Sequence, residues 1–496
     1  MNRVAFVLAA CLFPAAAGAQ SLALSNEVSR AVSNAKLGAA TVGISIRDVT
    51  SGQVLSDVRA DQPMIPASNM KVLTSGAALL ALSPAFQFRT ELVQDGDRLV
   101  FKGSGDPALA DPDLLARMNP RLTVSDVLGV LAGAAQKAGV VQATEIVVDD
   151  RVFDRQFVHP SWPTEKLDRG YSAEVAGVNF HANVLLAFPG PGRGGAGSLP
   201  TYSIQPDAPW IEVENRARTT SQGKNSVWLS REPFSNRFTL RGEVRQAAQV
   251  GVEITIHNPP EFVGQLLADH LSRAGVRIGD GTGGSTSRVA SEGDVFEGGR
   301  VIAAVNTPIE EVLHRCNSDS ANLYAEALLK RLGHEVTREP GSWSNGGAVL
   351  RMMISQHLGA RAAGDVTIAD GSGLSRDNAV APATLTRWLG VLASNDAARD
   401  MFTASLARPG QGTLRRRFSG VRLQNELYAK SGFINGVRTL SGYVVDPSSG
   451  RRVAFSVMVN DIRTDTQTAG ALNLHEDVVK IIDRYLVSLA PAASPR

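Results

Sequence analysis

From Val72 to Leu80 the chain carries hardly a polar side chain: Val72, Leu73, Ala77, Ala78, Leu79 and Leu80 follow one another closely, with Pro66 just upstream. A helix that is apolar on every side has to be buried on every side, so this stretch predicts a central helix around which the rest of a domain is built. Its N-terminus falls near Ser68. The polar-to-apolar junction is the tetrapeptide Ser68-Asn69-Met70-Lys71. Residues i and i+3 share a helix face, so Lys71 can reach the Ser68 oxygen and act as its base, the Ser/Lys form of nucleophilic catalysis. A lysine buried on such a helix without a role would be costly; the alternative is that Lys71 snorkels to solvent from the helix end. Ser33-Asn34-Ala35-Lys36 and Ser221-Gln222-Gly223-Lys224 show the same spacing. The first lies in a mixed, half-exposed helical stretch from Asn26 to Lys36, and the second has a loop composition.

The chain is 496 residues long, enough for two to four domains with large cores. Its net charge of +2, with both signs well mixed, offers no basic stripe for nucleic acid. Arg3, the apolar run Val4 to Ala17, and Ala17-Gly18-Ala19 ahead of Gln20 have the form of a secretory signal cleaved after Ala19. Export is therefore expected, with no integral membrane segment after signal removal. Leu8-Ala9-Ala10-Cys11 resembles a lipoprotein box placed very early in the run. If Cys11 leaves with the signal, Cys316 is the one remaining cysteine, and no intramolecular disulfide can form.

Two hairpins stand near the chain ends. Ala40 to Arg47 and Gln53 to Val58 alternate around Thr50-Ser51-Gly52; Arg438 to Val445 and Arg452 to Val459 flank Asp446-Pro447-Ser448-Ser449-Gly450. A helix is expected from about Leu472 to Leu489. These parts predict one antiparallel sheet drawn from both termini with helices on its faces. From Thr90 to Gly299 the sequence turns to glycine, valine and short strand-like runs, which read as an insertion. The glycine-rich segment Pro189 to Gly197 lacks the Gly-Lys-Ser/Thr ending of a phosphate loop, and no solenoid repeat is present.

A Ser/Lys hydrolase also needs a proton donor for the leaving amine and a polar group to hold the substrate amide. Ser320-Ala321-Asn322 supplies both types, on a tight connection between a helix from Ile309 to Asn317 and another starting at Leu323. Ser-x-Asn occurs nowhere else in the chain; a helix N-cap is the plainer use of these residues. Lys430-Ser431-Gly432 is the third element. On an edge strand beside the Ser68 helix, its ammonium and hydroxyl would bind a carboxylate while the glycine admits a substrate backbone. A second cation beside a buried Lys71 also favours the neutral amine. In isolation, Lys-Ser-Gly is more often a surface turn.

Ser-x-x-Lys, Ser-x-Asn and Lys-Ser/Thr-Gly, in that order, form the three-part signature of penicillin-recognising serine enzymes. The chain resembles the class C low-molecular-mass penicillin-binding proteins, the periplasmic D-alanyl-D-alanine carboxypeptidase/endopeptidases. The resemblance extends to Gly103-Ser104-Gly105-Asp106-Pro107, Asn322 to Glu326, Asp370 to Arg376 and Gly436 to Tyr443, and the long gap between the first two motifs separates it from the β-lactamases. It implies a mixed α/β (α+β) fold, with an antiparallel sheet flanked by helices and a large β-rich insertion. The expected division is a signal at 1–19, a catalytic domain at 20–89 and 300–496, and an inserted region at 90–299 made of two small accessory domains.

The resemblance implies acylation and hydrolysis on the D-Ala-D-Ala ends of peptidoglycan peptides, and covalent inhibition by β-lactams. In this scheme Ser68 is the nucleophile, Lys71 its base, and Ser320, bridged to Lys430, the proton donor. Asn322 would hold the peptide amide, and Lys430 with Ser431 the terminal carboxylate. Gly432 would admit the substrate, while the N–H groups of Ser68 and Phe433 would form the oxyanion hole. No metal or cofactor is needed, and whether the protein forms a homodimer is left open. Ser431 stands where threonine is usual, and Phe433 replaces a hydroxyl that could contact the carboxylate. Rival readings are a β-lactamase-like hydrolase, which would need its own group to activate water, and a catalytically silent peptidoglycan-binding scaffold. The eight histidines form no His-Glu-x-x-His pair.

Overall fold

A computed structural model describes residues 12–279, 286–296 and 298–489, with side chains from Gln20 onward. Met1 to Cys11 lie outside the described residues, and with them most of the signal segment and the lipoprotein-like box. The chain divides into two compact units, one made of 1–84, 313–321 and 347–496, the other of 85–312 and 322–346.

The first unit is organised by a five-stranded antiparallel sheet, in the order Glu426–Ile434, Val437–Val445, Arg452–Asn460, Thr41–Asp48, Val54–Val58. Both hairpins are present where alternation and turn residues placed them. They join along Thr41–Asp48 and Arg452–Asn460, from Thr41 opposite Asn460 to Asp48 opposite Val453. Because side chains alternate across a strand, Val42, Ile44 and Ile46 pack into one core with Leu440, Val444, Phe455 and Val457. The terminal helices cover that face, with Leu24 and Val28 from one and Leu474, Val478 and Ile482 from the other.

The opposite face carries smaller and polar residues because a helix lies close upon it. Ser45 Oγ meets Thr386 Oγ1 at 2.9 Å, and Tyr443 donates its hydroxyl to the Leu389 carbonyl at 2.7 Å, both from helix Pro382–Ser394. A Cβ on Gly43 would lie 2.5 Å from Met64 Sδ and 2.8 Å from Pro382 Cγ, so only glycine allows this approach. Helix Met70–Leu82 packs in turn on Pro382–Ser394 and is buried almost along its whole length. Gly76 is its contact point, where a Cβ would meet the Trp388 ring at 2.6 Å. The mixed α/β architecture and the burial of this helix are borne out.

The second unit contains another five-stranded sheet, ordered Ser287–Val289, Ile146–Asp149, Arg98–Lys102, Gln87–Asp95, Arg300–Pro308, and several short sheets of two or three strands. Besides Asn322–Thr337, its helices include Val124–Lys137 and Pro259–Arg273. Neither was legible as a long helical pattern in the sequence. The first is rich in alanine, glycine and valine yet starts with a complete Thr123/Asp126 capping box, and the second starts with two prolines.

Candidate active site

Ser68 sits in a single 3₁₀ turn, Ala67–Asn69, that feeds helix Met70–Leu82. Lys71 follows one turn later and is wholly buried, with Nζ 3.2 Å from Ser68 Oγ and donating to the Ser372 carbonyl at 2.9 Å. It does not snorkel. An amine at that distance, held by a carbonyl on one side, can take the serine proton.

The Ser372 carbonyl is aimed by its own turn. Asp370, also buried, accepts from the N–H groups of Gly373 and Ser375 at 2.8 and 2.6 Å and from the Asn378 amide at 2.8 Å. Gly373 has φ of +82°, and a Cβ there would stand 1.8 Å from the Ala67 carbonyl oxygen. The Asp370 to Arg376 stretch is thus a glycine turn pressed against the backbone beside Ser68.

Lys430, Ser431, Gly432 and Phe433 lie on Glu426–Ile434, an edge strand of the sheet. Gly432 is where this strand meets the Ser68 turn: an added Cβ would be 2.1 Å from Thr439 Oγ1, 3.0 Å from the Pro66 oxygen and 3.1 Å from the Ser68 nitrogen. Thr439 in turn donates to the Pro66 carbonyl at 2.9 Å. Asn69 is buried beneath. With the amide orientation that satisfies its neighbours, it donates to the Lys430 carbonyl at 2.8 Å and accepts from Ser441 Oγ at 2.6 Å.

Lys430 is wholly buried and donates to Ser320 Oγ at 2.8 Å and to the Ser431 carbonyl at 2.7 Å. Ser320 occupies the connection between helices Ile309–Asn317 and Asn322–Thr337 with φ of +64°, a left-handed conformation rare for serine and often kept at functional positions. The connection is fastened by the Thr413 N–H donating to the Ser318 carbonyl at 2.9 Å, and by Asn317 donating to Ser75 and Ser405 at 3.0 and 2.9 Å.

Burial pushes the Lys430 pKa well below 10.5, and the charge of Lys71 lowers it further; Cys316 and Asp319 oppose the shift. Lys430 in an unfolded chain keeps its proton up to about pH 10.4, so over the window between the two values the unfolded state holds one proton more. Stability then rises with pH. Comparing the protein with Lys430→Met by urea unfolding should show the native chain gaining on the variant as pH climbs toward 10.5, with a slope up to ~1.4 kcal/mol per pH unit. A constant difference across that range would contradict an ammonium destabilised by burial.

Seven of the eight candidate residues, Ser68, Lys71, Ser320, Lys430, Ser431, Gly432 and Phe433, belong to the first unit. Asn322 is the first residue of helix Asn322–Thr337 in the second unit, where its Nδ2 donates to the Tyr171 carbonyl at 2.8 Å. Phe433 is 63% exposed, with the Arg438 guanidinium carbon 4.0 Å above its ring, so a stacked cation stands beside the missing hydroxyl. Asn69, Ser372, Thr439 and Asn317 were not singled out from the sequence. Asn69 lies inside the first motif and Ser372 inside the Asp370 to Arg376 stretch, so their neighbourhoods carried the only signal.

A buried amine at a serine and a second amine at another serine, gathered on the edge of an antiparallel sheet, define an active-site-serine hydrolase of the penicillin-binding class. The chain belongs to the D-Ala-D-Ala carboxypeptidase 3 (S13) family, whose model matches residues 24–484. It is a serine-type DD-peptidase. It is 28% identical over 462 residues to a D-alanyl-D-alanine carboxypeptidase of an Actinomadura species, covering 90% of this chain and 82% of that one. It is 23% identical to the D-alanyl-D-alanine carboxypeptidase DacB of Haemophilus influenzae, covering 90% and 91%. The crystal structure of penicillin binding protein 4 (dacB) from Haemophilus influenzae superposes with a TM-score of 0.73 at 22% identity, over 91% of this chain and 99% of that one. The same protein complexed with a β-lactam gives 0.68 at 22% identity, over 92% and 99%. Among the described residues no helix is long and apolar enough to cross a membrane.

Proposed function

We propose that Ser68 is the acylated residue in cleavage of the D-Ala-D-Ala bond of peptidoglycan peptides. The observation that carries this is the 3.2 Å approach of Lys71 Nζ to Ser68 Oγ on a buried helix. Ser68 Oγ attacks the carbonyl carbon of the penultimate D-Ala as its proton passes to Lys71, and the N–H groups of Ser68 and Phe433 receive the oxyanion. Collapse breaks the C–N bond; the leaving amine takes a proton from Ser320 Oγ, which recovers one from Lys430. Water then hydrolyses the ester: its hydroxyl goes to the acyl carbon, Ser68 Oγ regains its proton from Lys71, and the water's proton replaces the one Lys430 gave up, so the shortened peptide leaves and the site is restored.

Lys430 with Ser431 receives the terminal carboxylate, whose arrival favours the charged form of an amine otherwise pushed toward neutrality. Asn322 holds the peptide amide. The same constellation opens a β-lactam ring and retains it as an ester, which accords with the β-lactam complex of the Haemophilus influenzae protein. The Ala17-Gly18-Ala19 signal supports a periplasmic location. The sheet drawn from both chain ends supports reading 20–89 and 300–496 as a catalytic domain interrupted by 90–299.

The mature protein should release D-alanine from a pentapeptide muropeptide and form a stable adduct with a fluorescent penicillin. Fast turnover of the drug would make it a β-lactamase. Absence of both activities would leave a silent scaffold.

A further inference from the structure

We propose that a cleft in the second unit is a saccharide subsite that holds the N-acetylated amino-sugar strand of the polymer whose peptides the enzyme cleaves; this rests on the peptidoglycan reading above. The cleft has a volume of about 440 Å³, and its walls come from the segments at Trp210–Glu212, Ser235–Arg237 and the start of helix Pro259–Arg273. Every one of these segments belongs to the second unit.

Trp210 and Phe262 line it, and Phe234 stands beside it against the lining residue His257. Trp210 stands with its ring centroid 6.0 Å from that of buried Phe262. Phe234 is 81% exposed at the tip of the hairpin joining Trp228–Arg231 to Phe238–Arg241, with its ring set edge-on to His257 at 6.1 Å. Its backbone is costly. Pro233 precedes it and φ is +54°, the turn position that ordinarily takes glycine. A scattered exposed apolar residue needs no explanation, but one displayed at the expense of backbone strain does.

His257 is oriented by a carboxylate: its Nδ1 lies 2.7 Å from Oε1 of buried Glu174, and Asn236 clamps its backbone N–H and carbonyl, each at 2.8 Å. With Nδ1 turned to Glu174, the other ring nitrogen of this cleft-lining histidine is left for a ligand. Among the described residues, Glu212, Arg237 and Gln265 line the cleft and make no side-chain hydrogen bond or ion pair. These are unengaged donors and acceptors beside flat apolar rings. Sugars need that pairing, a ring face for their C–H groups and planar polar groups for hydroxyl and acetamido substituents. Glu212 and Glu261 outnumber Arg237, so the lining does not suit the carboxylate-bearing stem peptide and favours the neutral glycan.

The probe is a β-1,4-linked N-acetylglucosamine tetramer, titrated into the full mature protein by calorimetry. Phe234→Gly removes one ring and relieves the left-handed backbone, so it should weaken tetramer binding tenfold or more while the urea midpoint holds or rises. A purely structural Phe234 would lower the midpoint. Gln265→Ala, an exposed position, should also weaken binding, and Trp210→Ala should abolish it. D-Alanine release from a free pentapeptide should stay unchanged in all three, whereas release from intact sacculi should fall several-fold. No binding of the tetramer at millimolar concentration, equal binding by the variants, or displacement by a free stem peptide would overturn the proposal. Ser68→Ala should bind the tetramer as the native chain does; a native chain that binds glycan yet releases no D-alanine would refute the peptidase roles and leave the subsite standing.

Discussion

Ser68→Ala should take up no penicillin and should lose D-alanine release by ~10⁴-fold or more, the scale seen when a catalytic serine that works as one unit with its base is removed. Intact-protein mass spectrometry makes the test direct: one covalent adduct on the native chain, none on the variant. An adduct that survives in Ser68→Ala would mean that another serine is acylated. The two other Ser-x-x-Lys sites are poor substitutes. Ser33 donates to the Ser29 carbonyl at 3.0 Å on an exposed helix face, and Ser221 lies in a loop. Neither has a buried amine, whereas Lys71 is enclosed on all sides and already shares a hydrogen bond with its serine.

Gly432→Ala should be nearly as damaging although it removes no chemical group. The new methyl would have to share space with Thr439 Oγ1 at 2.1 Å, the Pro66 oxygen at 3.0 Å and the Ser68 nitrogen at 3.1 Å. Thr439 is tied to that same Pro66 oxygen at 2.9 Å, so it has little freedom to yield. The edge strand would be forced away from Ser68. A displacement near 1 Å at a reacting centre costs about 10²-fold, so kcat/KM should fall by ~10² to 10³-fold, with the rate of penicillin acylation falling in parallel. Circular dichroism should still report a folded chain, because the sheet pairs through its other strands. Native-like acylation by this variant would show that the Lys-Ser-Gly strand does not flank the serine.

The parts of this protein that could be read in its sequence are those in which side-chain type and spacing state the physics. The terminal hairpins follow from alternation around Thr50-Ser51-Gly52 and Asp446-Pro447-Ser448-Ser449-Gly450. The helix after Ser68 follows from its lack of polar residues, and the Ser320 connection from two helical patterns that stop and restart. What escaped is mostly backbone. The Ser372 carbonyl that receives the Lys71 amine has no residue signature, since any residue could offer it. Asn69 looks like a variable position of a spacing motif until its amide is found under the Lys430 strand. Helix Val124–Lys137 is diluted by Gly129 and Gly133, and Pro259–Arg273 hides behind two prolines. Asn322 illustrates a different limit. Its place at the head of a helix was anticipated, but the Tyr171 carbonyl it binds comes from a distant 3₁₀ turn, Gly170–Ser172, that no local pattern announces.

The inner strand Thr41–Asp48 finds one of its two neighbours only in Arg452–Asn460, and Thr41 bonds to Asp461 across 420 positions. Closing so long a loop makes folding slow and late. A chain cut off ahead of Glu426–Ile434 therefore carries Ser68 and Lys71 without the strand that flanks them, and it should take up no penicillin.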